Sequence, residues 1–157
     1  MAFNAYLQID GIKGESTDKD HKDWISLISF SHSISQATSI PSGGGAAGKV
    51  THLEIVITKR VDIASPKLYE ACATGKHFPN AVIDVSRSAV AAPVKYLVIR
   101  MQDVIISGVA SSGASGNDFP VETVSLNYGS IQWVYTPQNP DGSAGTDVIG
   151  TWGRGNP

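Results

Sequence analysis

Hydrophobic and polar residues alternate along much of the chain, in runs separated by segments rich in Gly, Ser and Asp. In the first run, one face of an extended strand would carry Phe3, Ala5, Leu7 and Ile9. Successive side chains of a strand point to opposite faces, so this pattern predicts a half-buried strand. The same reasoning predicts further strands over residues 25–35, 50–61, 81–88, 94–107 and 121–135.

The run over residues 25–35 has two unlike faces. The apolar face is predicted to enter the protein core and carries Ile28, Phe30, His32 and Ile34. The opposite face carries only small hydroxyl side chains, those of Ser29, Ser31, Ser33 and Ser35. Over residues 50–61, the predicted core side carries Leu53, Ile55 and Ile57, and Thr58 falls on the other side.

A single helix is predicted over residues 65–75. Ser65 is a favourable N-cap, and Pro66 suits the first helical position. Gly75 is expected to end the helix in the left-handed conformation. The apolar stripe of the helix carries Leu68, Ala71 and Cys72.

Many strands and one helix predict a mainly β protein, a single β-barrel domain with one short flanking α-helix. The barrel is assigned to residues 1–136. A Gly/Pro-rich C-terminal tail, residues 137–157, follows it, and its few apolar residues include Val148, Ile149 and Trp152. Long loops are expected over residues 10–23, 38–49 and 110–120.

Composition narrows the class of protein. The chain has 157 residues, enough for one domain, and a net charge of −2 that gives no broad footprint for nucleic acid. Cys72 is the single cysteine, so an internal disulfide is excluded. The N-terminus lacks the pattern of a signal peptide, and no apolar run predicts membrane insertion. We expect synthesis and assembly in the cytoplasm. A protein that is exported by a dedicated machine would also lack a signal peptide, so the sequence is compatible with secretion.

No cofactor, metal or catalytic residue is predicted. Residues 43–49 (Gly-Gly-Gly-Ala-Ala-Gly-Lys) formally match a nucleotide-binding glycine loop, but a strand pattern follows where a helix is required. The histidines lack metal-ligand spacing. His32 is expected to be a hydrogen-bonded core residue, and Cys72 a small buried apolar one.

Several segments in series resemble the haemolysin-coregulated proteins (Hcp). They are Gly11-Ile-Lys-Gly-Glu-Ser16, Asp20-His-Lys-Asp-Trp-Ile25, Ser29-Phe-Ser31, Ser35-Gln36, Thr58-Lys59, the Ser65-Pro66 helix with Gly75-Lys-His77, Val124-Ser-Leu-Asn-Tyr128 and Ile131-Gln-Trp-Val-Tyr135. The resemblance implies a fold similar to that of phage tail-tube proteins. It also implies a non-enzymatic subunit of the type VI secretion inner tube. Six subunits would close into a ring, and rings would stack inside a contractile sheath below a spike, with effector proteins in the lumen.

Two site hypotheses follow. The hydroxyl face of Ser29, Ser31, Ser33 and Ser35 is predicted to line the lumen and to contact effectors, with Ser31 at its centre. The mixed-charge loop over residues 10–23 is predicted to be an extended ring-stacking loop, with Gly11 and Gly14 supplying backbone freedom. Its candidate residues are Gly11, Lys13, Gly14, Glu15, Ser16, Asp18, Asp20, His21, Lys22 and Asp23. The alternatives are a monomeric ligand-binding β-barrel and a hydrolytic enzyme on a β-barrel.

Overall fold

The computed structural model describes residues 3–39, 46–87 and 94–154, and within them the chain forms ten strands and one helix. The strands are β1 (Phe3–Ile9), β2 (Ile25–Leu27), β3 (Ser29–Ser31), β4 (Ile34–Ser39), β5 (Ala46–His52), β6 (Ile55–Arg60), β7 (His77–Arg87), β8 (Val94–Ser112), β9 (Val121–Tyr135) and β10 (Val148–Gly153). The helix α1 spans Ser65–Thr74.

One antiparallel sheet forms the body of the molecule, with strand order β2-β1-β7-β8-β9-β6-β3 and with β10 also paired to β9. The first and last strands of this order, β2 and β3, are neighbours in sequence and are separated only by Ile28. The Ile28 N–H donates to the carbonyl of Thr58 at 2.7 Å, so the segment bridges the two ends of the sheet. The predicted mainly β fold, a single barrel with one short helix, is therefore confirmed.

The helix packs against the barrel interior through Leu68 and Ala71, which are buried. Cys72 is only half-buried and packs at the margin of this core. Gly75 ends the helix in the left-handed conformation, as predicted, with a φ of 66°. The predicted N-cap is wrong, because Ser65 is already helical and its hydroxyl lies inside the buried polar cluster described next.

A buried polar cluster joins β6, β9 and the start of α1. The Lys59 ammonium lies 2.9 Å from a carboxylate oxygen of Glu122 and 2.9 Å from one of Asp62. It also donates to the Arg60 carbonyl and to the Ser65 hydroxyl. Lys59 and Glu122 are both fully buried, so this pair is part of the protein interior.

The predicted core face of residues 25–35 is correct only in part, because Phe30 packs on the core whereas Ile28 and Ile34 do not. Ile28 and Ile34 are about half exposed, at 49% and 47%. Ile25 is buried and Leu27 partly buried, whereas farther along it is Phe30 that packs on the core. The break at Ile28 therefore shifts the alternation by one residue between β2 and β3. Ile34 is exposed because it begins β4, which pairs with β5 outside the main sheet.

Four other boundaries differ from the sequence predictions. The run over residues 50–61 is divided, because the chain leaves β5 after His52 and enters β6 at Ile55, which leaves Leu53 exposed. Strand β7 begins four residues earlier than predicted, and β8 extends to Ser112. The tail contributes β10, which pairs with the last residues of β9. Part of the glycine-rich segment, residues 40–45, lies outside the described residues, and β5 follows it.

Candidate functional site: a neutral sheet face and the cleft beside it

The outward face of four adjacent strands, β3, β6, β9 and β8, presents small uncharged side chains. The antiparallel register aligns them in two rows across the strands. One row is Ser31, Val56, Ser125 and Gly108, and the other is Ser29, Thr58, Thr123 and Ala110. We call these eight residues the neutral face.

The neutral face results from strict alternation on β6 and β9. Ile55, Ile57, Val124 and Leu126 point into the core and are fully buried, so the residues between them must point outward. Neither row contains a charged side chain, and the charged residues of β6 and its flank on this face stand beyond the ends of the rows. Arg60 lies past one end, opposite Val121, and Glu54 lies past the other, where it accepts a hydrogen bond from Asn127.

The predicted hydroxyl row is brought together only in part. Ser29 and Ser31 are exposed and belong to the neutral face. Ser33 lines the cleft beside it, and Ser35 lies on the separate β4–β5 hairpin, opposite Thr51. Sequence reasoning missed Thr58, Thr123 and Ser125. Their alternation with buried residues was visible, but the register that aligns them with Ser31 was not.

The cleft at the Glu54 end of the neutral face has a volume of about 850 Å³. His77 and Asp103 line it and form a pair with a 2.8 Å distance from His77 Nδ1 to Asp103 Oδ1. Asp103 has a φ of 53°, and it faces Gly129 so closely that an added Cβ there would lie 3.0 Å from the aspartate Cβ. Gly129 therefore marks a close approach between β8 and β9.

A histidine–aspartate pair supplies two of the three members of a hydrolytic triad. A nucleophile within hydrogen-bond distance of the imidazole would complete it. Among the described residues, no hydroxyl or thiol makes such a contact with His77, so the hydrolase alternative gains no support. The same part of the chain holds no group of three or more His, Cys, Asp or Glu residues arranged to bind a metal ion.

Two histidines on the other side of the cleft, His32 and His52, pack on aromatic rings of the barrel. His32 is half-buried, and in the described structure neither of its ring nitrogens has a hydrogen-bond partner. The expected hydrogen bonding of His32 is therefore wrong, and ring contacts with Tyr128 and Trp133 hold it instead.

The candidate stacking loop, residues 10–23, was predicted to be extended, but it lies folded against its own barrel. The His21 ring is buried, stacks on Tyr6 at 4.3 Å, and bonds Asp84 through Nε2 and Asp18 through Nδ1. The hydrogen bond to His21 lowers the pKa of Asp18. Asp84 also forms an ion pair with Lys95 at 2.9 Å, so His21 attaches the C-terminal end of the loop to a carboxylate that the barrel holds in place.

The ten candidate residues of this loop therefore differ in their exposure. Gly14, Ser16 and His21 are buried within the subunit. Asp18 is half-buried. Exposed side chains are those of Lys13, Glu15, Asp20, Lys22 and Asp23, and Gly11 is exposed with a φ of 85°. Only the exposed group is available for a contact with another molecule.

Within the residues that the structure describes, there is no helix both long and apolar enough to cross a membrane.

Comparison with known proteins gives a consistent family. Residues 6–135 match a family described as "Type VI secretion system effector, Hcp". Protein hcp1 of Pseudomonas aeruginosa is 38% identical over 144 residues, which cover 91% of this chain and 89% of that protein. The "Major exported protein" of the same species is 25% identical, with 91% and 95% covered. A solved type six secretion system protein superposes with a TM-score of 0.90 at 31% identity, covering 97% of this chain and 96% of that one.

Proposed function

The chain belongs to the Hcp family of type VI secretion proteins, and we propose that it is the structural subunit of a secretion tube built from hexameric rings. The neutral face is the observation that carries this proposal. A sheet face of small uncharged residues is suited to the wall of a channel. Its two lateral edges also offer backbone groups for contacts with neighbouring subunits.

The strand edges beside the neutral face support a ring. Among the described strands, β3 pairs only with β6, and β8 beyond Ile105 pairs only with β9. The helix lies against that part of β8, where the Tyr69 hydroxyl contacts the hydroxyl of Ser111 at 2.6 Å. The two edges differ from each other, and a contact between unlike patches closes into a ring when its rotation allows.

Native mass spectrometry of the purified full chain tests the ring directly. We expect a dominant species with six times the mass of the chain at micromolar concentration. A ligand-binding barrel that acts alone would give monomer. A species no larger than a monomer or a two-fold dimer, at neutral pH and moderate salt, would contradict the proposal.

We further propose that the neutral face lines the lumen, with Ser31 in its central row. Side chains such as Ser, Thr and Ala leave the bore open, and their lack of charge avoids strong retention of either charge sign. Hydroxyl groups still donate and accept hydrogen bonds, so effector proteins could be held weakly. The charges at the two ends of the face, Arg60 and Glu54, would then mark the borders of the neutral band.

Cysteine labelling tests the position of Ser31. In a Cys72→Ser background, which removes the single native thiol, Ser31→Cys is expected to react with iodoacetamide in the assembled ring or tube. It should be shielded from a maleimide carried on a long polyethylene glycol chain. Lys67→Cys is the control, because Lys67 is 65% exposed on the helix and should react with both reagents. Equal reactivity of Cys at position 31 toward both reagents would place this face outside the lumen.

The remaining partners belong to the same proposal. The exposed side chains of the loop over residues 10–23 would contact the next ring, so that rings stack into a tube. The contractile sheath, the spike and effector proteins would be its partners. The protein would assemble in the cytoplasm and leave the cell through this machine. The name of its relative, the "Major exported protein" of Pseudomonas aeruginosa, supports export.

A further inference from the structure

The β4–β5 hairpin is a two-stranded sheet of its own, beside the barrel. Among the described strands, β4 and β5 pair only with each other. The N–H of Leu53 donates to the carbonyl of Ser33 and closes the base of the hairpin. His32 lies just before β4 and His52 ends β5, so a histidine stands at each of the two points where the hairpin joins the barrel.

His52 is held against the barrel by an aromatic contact and one hydrogen bond. Its ring stacks on Trp152 of β10, with centroids 3.8 Å apart and planes at 29°. Its Nδ1 lies 2.6 Å from the Tyr128 hydroxyl. Burial raises the pKa of Tyr128 to about 12, so this hydroxyl keeps its proton at neutral pH and can donate to an unprotonated Nδ1. The other nitrogen, Nε2, is buried with no partner among the described residues.

Among the described residues, His32 is held by aromatic contacts without a hydrogen bond. Its ring lies 5.9 Å from the Trp133 ring, nearly parallel, and 6.0 Å from the Tyr128 ring, edge to face. Both of its nitrogens are buried, and no acceptor in the described structure reaches them. A charged imidazolium at this position would carry two N–H groups without acceptors, which is costly in a buried site.

The surrounding charges do not compensate for protonation. The titratable or charged groups that line the adjoining cleft are Glu54, His77, Asp103 and Arg154. Glu54 accepts from Asn127, and Asp103 is paired with His77. Arg154 adds a positive charge near His52. No carboxylate contacts either His32 or His52 in the described residues.

Both histidines accordingly favour the neutral form. Burial lowers the pKa of His32, and the nearby His52 lowers it further. Burial also lowers the pKa of His52, with a second contribution from Arg154. A folded-state pKa below the unfolded value of about 6.5 means that the released state binds more protons in acid. The hairpin is therefore attached most stably above about pH 6.5, and this stability is lost as the pH falls through the lowered pKa values of the two histidines.

We propose that the β4–β5 hairpin is an acid-released arm, attached to the barrel at neutral pH by the uncharged His32 and His52 rings. Protonation replaces two neutral aromatic contacts with two buried cations close to each other. The hairpin then detaches while the barrel, whose core contains neither histidine, remains folded. The inference concerns the single subunit and does not require that rings form.

Hydrogen exchange followed by mass spectrometry tests this release. Amides of β4 and β5 are expected to exchange about tenfold faster at pH 5.0 than at pH 7.5, after correction for the intrinsic pH dependence of exchange. Amides of β1 and β7 should show no such change. The His32→Phe/His52→Phe variant keeps the ring contacts but cannot be protonated, so its hairpin should exchange at the same corrected rate at both pH values.

Two further variants keep the test decisive. His32→Phe alone loses no hydrogen bond and should remove part of the pH dependence even if the double variant folds poorly. His77→Phe, at the same cleft but on an exposed residue, should retain the full effect. A wild-type hairpin with the same corrected rate at both pH values would overturn the proposal. An equal pH response in wild type and in the His32→Phe variant would also overturn it.

Native mass spectra recorded at both pH values separate this inference from the proposed ring. Hairpin release in a protein that is monomeric at both pH values would support the acid-released arm and contradict the ring. Intact hexamers without any hairpin release would support the ring and contradict the acid-released arm.

Discussion

Replacing Lys59 by Met is expected to lower the free energy of unfolding by about 3–5 kcal/mol, because it leaves the buried Glu122 carboxylate without its cation. Lys59 and Glu122 are 2.9 Å apart and fully buried, so water cannot take the place of the ammonium. Asp62 would lose its ion pair as well. For a domain of ordinary stability, about 5–15 kcal/mol, this is a large fraction of the total.

The chain offers a matched control for this substitution. Lys67 forms an ion pair with Glu70 at 3.5 Å on the exposed surface of the helix, and exposed pairs of this kind contribute little. Lys67→Met should therefore change the free energy of unfolding by less than about 0.5 kcal/mol. Urea denaturation of the wild type and both variants gives the comparison.

A double replacement distinguishes pairing from packing at the Lys59 site. In Lys59→Met/Glu122→Leu both buried charges are gone, so much of the lost stability should return. If the double variant is as unstable as Lys59→Met alone, the loss comes from packing and not from an unpaired carboxylate. A Lys59→Met protein with wild-type stability would contradict the account altogether.

The elements with a regular pattern were predictable from the sequence. Strand β1 alternates without interruption, and α1 has a proline at its start and a glycine at its end, so local preferences and burial agree there. The segment over residues 25–35 has equally good alternation, but its predicted inward face is correct at Phe30 and wrong at Ile28 and Ile34. Ile28 separates β2 from β3, and Ile34 begins the separate β4–β5 hairpin, and the alternation alone shows neither break.

Long-range pairing accounts for the other differences. Lys59 follows Ile55 and Ile57 at intervals of two residues, so its inward position could be predicted from the sequence. Its partner Glu122, which is 63 residues away, could not. Strand β10 forms because its backbone pairs with β9, although Val148 and Ile149 remain exposed. The neutral face likewise depends on the register between four strands. Each strand shows its own alternation of inward and outward residues, but only the pairing of the strands shows which outward residues lie side by side.

Gly14→Ala is expected to destabilise the loop over residues 10–23 by about 1–3 kcal/mol or more, since the added methyl group has no free space. A Cβ at Gly14 would overlap the Trp24 carbonyl and lie 2.7 Å from the Ile25 amide nitrogen. These are backbone atoms that cannot rotate away. The sequence-based reason for this glycine, backbone freedom, is thus replaced by close approach, whereas Gly11 does have a positive φ.

The same overlap opens the hydrogen bonds that hold the loop. Gly14 donates to the Asp23 carbonyl at 2.8 Å, and Ser16 donates to the Trp24 carbonyl at 3.0 Å. Separating the two hydrogen-bonded segments of the loop would also disturb the buried His21 beside them. Thermal unfolding and hydrogen exchange of residues 10–25 should both report the loss. Lys13→Ala, at a 68% exposed side chain in the same loop, should stay within about 0.5 kcal/mol of wild type.

Substitutions at Gly14 and at the exposed lysines also distinguish the structural role of the loop from its proposed role in stacking. Lys13→Glu/Lys22→Glu changes only exposed side chains, so it should preserve both stability and hexamers while preventing growth of tubes from stacked rings. Gly14→Ala should reduce stability and stacking together. Electron microscopy and light scattering measure tube growth, and native mass spectrometry measures the rings. Normal tubes from the double-lysine variant would remove the loop from the stacking contact, while a Gly14→Ala protein as stable as the wild type would contradict the close packing of Gly14 against Trp24.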